Sequence, residues 1–525
     1  MAIIAEVIGN GITVFTLWFV GTTSIIVFCI YSLKPRVRPS FRGAPVWPLV
    51  GVLPSLLFHF GHLYDWFTHL VIINGGTFRL PGPWKFRVFT ADPANIEYLL
   101  KTRYHNFGKG EIFKETFRDM FGESIVVQDG EPFKRLNISI GKALASPAFR
   151  DSAAAALPAV MQQKLVPVFT HACENSTIID LQDVFHRLAF YNVCRFGAGV
   201  ELGCLSPGLP KVPFLEAFEE ALQSLMLRLL MPPFCWKILR FFNVLFERRL
   251  LKARETIYGF VLHQVHSRWR ANGQDVTQGS DIGSAFIRFE RESGRFYSDK
   301  GVHELFVSLI LAGKDTITPG LTWFFWLVAN NPRVEAQILA ELREIVKQRK
   351  SLHDQDPFSF SFEEVKSMAY LHATVTESLR LYPPIPLELT ASLEDDVLPD
   401  GTPMKKGEQI LYSIYSSGRL GSVWGEDYLE FKPERWMKNG RFVRESDFKF
   451  LAFNAGARRC TGREFGYWQM KWAAASILVR YQVKIVDEHP VVPKYGLSLY
   501  MKYGLLATIH QREKDEVIEN EKGKG

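Results

Sequence analysis

The most constraining stretch of this 525-residue chain is ten residues long: Phe453-Asn454-Ala455-Gly456-Ala457-Arg458-Arg459-Cys460-Thr461-Gly462. Glycines let a backbone approach another group closely and turn N–H groups toward a sulfur. Arg458 and Arg459 beside Cys460 favour a thiolate over a thiol. Apolar residues at helical spacing resume after Gly462, so helix-start N–H groups add to the same effect. Any fold built on this segment must hold a cysteine anion at a loop-to-helix junction, where it is a metal ligand. Taken alone, a cysteine beside a turn is also compatible with one more inert core residue.

The other cysteines, Cys29, Cys173, Cys194, Cys204 and Cys235, are widely spaced and form no CxxC pair. That excludes a disulfide framework and a zinc-site pattern, and it suits reduced thiols facing the cytosol. The formal net charge of +7 comes without a dense Lys/Arg stripe, which excludes a nucleic-acid partner. A mildly basic balance suits an acidic protein partner or an anionic membrane surface.

Residues 7–33 carry no charge. As a helix they would extend roughly 40 Å, enough to cross a hydrocarbon core of about 30 Å with some tilt. A cleavable leader would be shorter and would start with positive charge; a buried core helix is the other alternative. Lys34, Arg36 and Arg38 follow the span, so the positive-inside rule places the rest of the chain in the cytosol. Residues 1–33 are therefore expected to be a single-pass membrane anchor. Pro35, Pro39, Pro45 and Pro48 make 34–49 a stiff spacer.

No linker interrupts 50–511, which reads as one domain, mainly α with a minor β part. Strands are expected at Thr77–Leu80, 86–90, 408–414 and 497–508, and helices over 214–230, 249–271, 301–331 and 333–349. Residues 272–285 read as a surface loop, and 512–525 as a polar, disordered tail.

Phe453, Gly456, Arg458, Cys460 and Gly462 match the pattern Phe-x-x-Gly-x-Arg-x-Cys-x-Gly, and on it the chain resembles the cytochrome P450 family. The resemblance implies the P450 fold behind a transmembrane helix, in the endoplasmic reticulum membrane. It implies haem b bound through Phe453, Gly456 and Arg458, with Cys460 as the iron ligand and Arg458 beside a propionate. It also implies an oxidoreductase that uses dioxygen and electrons from NADPH, delivered by NADPH-cytochrome P450 reductase.

Three further segments extend the resemblance. Glu377 and Arg380 share a helix face, and the family ties such a pair to an arginine like Arg435 of Pro433-Glu434-Arg435-Trp436 as a structural network. Asp315 and Thr316, in Ala312-Gly313-Lys314-Asp315-Thr316, match the family's acid–alcohol pair for proton relay; a mid-helix Thr bonding back to a carbonyl is the bland alternative. Pro319 is expected to kink that helix. The family's Trp-x-x-x-Arg is replaced here by Phe133 and Asn137, which removes one propionate partner, with Arg135 and Lys134 on another helix face.

Among P450s the chain is most similar to plant fatty-acid ω-hydroxylases of the long-chain, suberin-type group. Trp323-Phe324-Phe325-Trp326-Leu327, Cys204-Leu205-Ser206-Pro207-Gly208-Leu209-Pro210 and Leu499-Tyr500-Met501-Lys502-Tyr503-Gly504 carry this likeness. It implies hydroxylation of the terminal methyl of a long-chain fatty acid. It also implies an apolar pocket lined by Phe117, Met120, Phe121, Ile125, Val126, Leu309, Ala312, Ile385, Leu387 and Leu497, although each is equally compatible with core packing. Ile317 and the apolar turn 383–390 depart from that group. They leave open oxidation of a specialised metabolite, such as an alkaloid, terpenoid or sterol side chain. A haem isomerase or dehydratase, and a non-catalytic haem protein, are further alternatives that Asp315-Thr316 argues against.

Overall fold

The computed structural model describes residues 23–24, 36–38, 41–47, 51–80, 87–266, 278–295, 298–349 and 358–512. The expected anchor (but for Thr23 and Ser24) and the tail beyond Arg512 lie outside them. Among the described residues no helix is long and apolar enough to cross a membrane.

The body is mainly helical, with a small five-stranded sheet at one side. Its strand order is Thr77–Leu80, Arg87–Thr90, Gln409–Ser413, Leu387–Ser392, Phe107–Gly108. Tyr412 pairs with Thr90 in parallel and with Glu388 antiparallel. The strand Leu387–Ser392 corrects the reading of 383–390 as a turn: Pro386 ends the irregular part, and the next residues take up sheet hydrogen bonds. Part of the proline-rich spacer is also a strand. Arg36–Arg38 and Phe41–Val46 form a hairpin whose Phe41 and Val46 are buried in the body. The expected loop over 272–285 ends at a helix, Ile282–Glu292, capped by the Asp281 carboxylate accepting from Ser284 N at 2.8 Å.

The helix Leu181–Ala198 runs through the largest core, with all but four of its eighteen residues buried. It packs against Asp299–Lys314 and Ile317–Ala329. Phe185 stacks on Phe325 with ring centroids 5.1 Å apart. Gly313 permits the approach of the first pair, because a Cβ there would overlap the Val193 side chain.

The helix expected over 301–331 is broken in two at Asp315-Thr316. Pro319 explains the break. It has no N–H to give the Asp315 carbonyl four residues back, and its ring crowds that carbonyl. The expected strand over 497–508 is confined to Leu506–Gln511, paired with Tyr481–Ile485. The preceding residues form a loop because their backbone groups bond elsewhere: Leu499 N donates to Pro384 O, and Trp323 Nε1 donates to Leu499 O.

Glu377, Arg380 and Arg435 meet in one buried cluster. Glu377 and Arg380 have fully buried side chains and pair through two hydrogen bonds of 2.8 Å. Arg380 also donates to the carbonyls of Gly418, Tyr428 and Glu430. Arg435 Nε lies 3.4 Å from Glu377, and Trp436 Nε1 donates to it at 2.9 Å. Removing one partner of a buried ion pair strands the other charge, at about 3–5 kcal/mol. Glu377→Ala should therefore lower unfolding free energy by about that much, read from urea denaturation; an unchanged midpoint would show that the cluster contributes little.

Candidate active site

The loop 450–462 delivers Cys460 to the start of the helix Arg463–Leu478. The turn is tight: Asn454 and Gly456 both have positive φ, at 56° and 58°. Asn454 donates its side-chain amide to Tyr412 Oη at 3.0 Å, and Cys460 N donates to Phe453 O at 2.8 Å. Gly456 is required by its neighbour, since a Cβ there would overlap the Leu100 carbonyl.

Protein surrounds Cys460 on nearly every side, yet the residue keeps open surface. Its open surface therefore lies within the protein body rather than on a protruding loop. Burial pushes its thiol up from the ordinary value, and the Gly462 N–H and Arg463 pull it only partly back. The flanking arginines do not supply that pull. Arg458 turns to Asp129, and Arg459 lies 3.9 Å from Asp447. Each side chain is drawn to one of these carboxylates.

Ile317 Cδ1 lies 3.8 Å from the point where a Gly466 Cβ would stand. The starts of the helices Ile317–Ala329 and Arg463–Leu478 are thus side by side, with Thr316 just ahead of one and Cys460 ahead of the other. Ile317 is buried in this contact, so it faces a helix rather than an open pocket.

Ala312 and Thr316 keep surface, while Lys314 and Asp315 between them are closed off. Leu309, Ala312 and Thr316 share one helix face. Ile125, Val126, Ile385, Leu387 and Leu497 also keep part of their surface. Phe117, Met120 and Phe121 do not. They are the buried stripe of the helix Gly110–Phe121, with Phe117 stacked on Phe113 at 4.4 Å. That amphipathic helix lays its apolar side on Pro213–Leu230 and Asp299–Lys314, which closes these three off.

The acid and the alcohol of the expected relay point apart. Thr316 Oγ1 donates to Ala312 O at 2.5 Å, the back-bond typical of helical threonine. Asp315 is buried against Lys314 and Tyr500.

Arg458 lies over the Phe133 ring at 4.0 Å and pairs with Asp129, which Lys114 also approaches at 3.2 Å. Both Asp129 oxygens accept from Lys109 N. Asn137 accepts from the Thr461 hydroxyl, beside Cys460. Arg135 faces Glu290 and Lys134 faces Glu131, so neither stands in for the missing arginine. Lys114 and Asp129 were not singled out from sequence; no local motif marks them.

A soft sulfur donor with open surface, the Gly462 N–H beside it and the open Ala312 on the helix whose end it adjoins suit an iron porphyrin. The Cytochrome P450 family model matches residues 41–507. The chain belongs to the cytochrome P450 family. As a P450 it is a monooxygenase that uses haem b, with NADPH-derived electrons supplied through a reductase. It is 39% identical over 504 residues to Cytochrome P450 86B1 of Arabidopsis thaliana, covering 94% of this chain and 90% of that protein. Alkane hydroxylase MAH1 of Arabidopsis thaliana is 31% identical over 511 residues, covering 94% and 99%. Noroxomaritidine synthase of Narcissus aff. pseudonarcissus MK-2014 is 33% identical over 496 residues, covering 93% and 96%.

Gly456→Ala in this P450 combines a positive-φ penalty with overlap on Leu100. It should cost about 3 kcal/mol and lower the melting temperature, with loss of haem per polypeptide. A variant that melts and binds haem like the parent would contradict this account of the turn.

Proposed function

We propose that this P450 hydroxylates the terminal methyl of long-chain acyl substrates, with Cys460 as the residue that would hold the haem iron through its thiolate. The observation that carries the reading is that Leu309, Ala312, Ile385, Leu387 and Leu497 each keep part of their surface in a chain whose Cys460 thiol also keeps open surface. Similarity to an alkane hydroxylase and to Cytochrome P450 86B1 supports an unbranched apolar chain as substrate.

Haem b, when bound, supplies dioxygen activation using electrons that arrive singly from the reductase. The protein's own part is positional. The turn 453–462 holds the sulfur, while Arg458, next to Lys114 and Asp129, offers cationic donors for a propionate. Ala312 leaves space on the helix face where a larger side chain would block the chain end. Apolar walls hold the acyl chain and exclude water. Thr316 keeps an acceptor lone pair while its proton bonds Ala312, and with Asp315, which turns the other way, it forms an acid–alcohol pair for proton relay through water. The apolar span 7–33 anchors this domain to the cytosolic face of the endoplasmic reticulum membrane, where such lipids and the NADPH-cytochrome P450 reductase reside.

Reduced, CO-bound protein is expected to show the red-shifted Soret band of thiolate ligation, and Cys460→His to lose it; a histidine-type band in the parent would end the assignment. Titration with fatty acids of graded length should convert the haem from low to high spin, with the tightest response among long chains. Product mass spectra should place oxygen on the terminal carbon. No response to any acyl chain, with a response to polycyclic metabolites, would shift the reading to a specialised-metabolite oxidase.

A further inference from the structure

Behind the break at 315–316, four polar side chains from three distant parts of the chain meet. The Lys314 and Asp315 side chains are 1% and 2% exposed and pair at 2.5 Å. Asp315 Oδ1 also accepts from Tyr500 Oη at 2.5 Å. On its far side Lys314 Nζ lies 2.8 Å from His186 Nε2. An ammonium has only donors, so that nitrogen accepts and His186 carries its proton on Nδ1. The rings of His186 and Tyr500 are 5.9 Å apart, and Phe218 closes the cluster 4.9 Å from Lys314 Nζ.

Tyr500 does not reach this place by chance of a loose loop. Its carbonyl accepts from Lys494 N at 2.7 Å, and its neighbour Leu499 is fastened to Pro384 and Trp323. Burial, with Lys314 second, holds the His186 imidazole well below its ordinary value, so it is a neutral acceptor.

The cluster saturates one carboxylate oxygen only. Asp315 Oδ2 is buried and has no hydrogen-bond partner among the described residues. A buried carboxylate with a free oxygen is costly unless that oxygen has a use. Two donors on Oδ1 prevent the group from rotating to share its oxygens, and the adjacent ammonium balances its charge.

We propose that Tyr500 and His186 are positioning residues for proton delivery: Tyr500 fixes Asp315 directly, and His186 fixes it through Lys314, leaving Oδ2 as the proton-carrying atom. The inference rests on the monooxygenase reading with Asp315 and Thr316 as its relay. One proton taken up at Oδ2 travels through intervening water to the Thr316 hydroxyl, which gives up its own proton on its open side. Asp315 returns to the carboxylate, and solvent supplies the next proton.

The test uses the full chain with haem and a P450 reductase, with and without hexadecanoic acid. It counts hydrogen peroxide released per NADPH oxidised, because poor proton delivery releases reduced dioxygen as peroxide. Tyr500→Phe removes one hydroxyl and should raise that ratio about fivefold, the effect of one hydrogen bond. Its haem content and CO-bound spectrum should match the parent. His186→Leu should raise the ratio too, and His186→Gln, which restores an acceptor, should bring it back. If Tyr500→Phe loses haem, the His186 pair decides: parental ratios in both overturn the proposal. Parental ratios in Tyr500→Phe and His186→Leu, with Asp315→Asn raised, overturn this inference and spare the relay. Parental ratios in Asp315→Asn and Thr316→Ala remove the relay and the inference with it.

Discussion

One carboxylate ties together segments that lie far apart in the chain. Glu377 receives Arg380, Arg435, the Trp436 indole and the Lys432 N–H. Arg380 in turn collects three carbonyls from 418–430. Gly418 is forced by this packing, because any Cβ there would overlap the Arg380 carbonyl. The segment from 418 to 436 is thereby held against the helix Ala369–Leu381, and the loop that carries Cys460 continues from it. Buried ions are expensive unless every donor and acceptor is answered, and here the backbone supplies most of the answers. Such a cluster specifies one arrangement rather than adding general cohesion.

A second constraint is a missing N–H. Pro319 ends the hydrogen-bond ladder at Asp315 and divides one expected helix into two. Without the break, Asp315 and Thr316 would follow helical spacing and their surroundings would be ordinary helix surface. With it, Asp315 turns into the protein toward Lys314 and Tyr500, while Thr316 keeps surface beside Ala312. Two adjacent residues thus serve opposite environments, one dry and ionic, the other with open surface.

Charge around the thiolate segment is organised at a distance from the sulfur. Arg458 and Lys114 converge on Asp129, and Asn137 bonds Thr461 where a longer cation would be expected. The loss of an arginine from the helix Gly130–Ala145 is accompanied by a lysine from the preceding helix. The positive charge acting on Cys460 is Arg463, the first residue of the following helix.

Much of the chemistry was legible in the sequence because it rests on short-range spacing. Five residues within ten pointed to the family and made Cys460 its ligand candidate; the i, i+3 rule paired Glu377 with Arg380; and Pro319 announced a distortion. The helices expected over 214–230 and 333–349 began and ended within a few residues of expectation, while the one over 249–271 starts at Leu245 and its expected end lies outside the described residues. What could not be read was anything decided by a partner distant in sequence. Leu387–Ser392 became a strand because Gln409–Ser413 offered it a ladder. The 497–505 segment left the strand state because Pro384 and Trp323 claimed its backbone groups. Phe117, Met120 and Phe121 lost their place on the pocket wall because two helices cover that face. The sequence alone determined the family and its class of reaction, since motif residues and their spacing are local properties. Only tertiary structure decided which residues keep open surface and which charges answer one another, because burial and ion pairing depend on contacts between segments far apart in the chain.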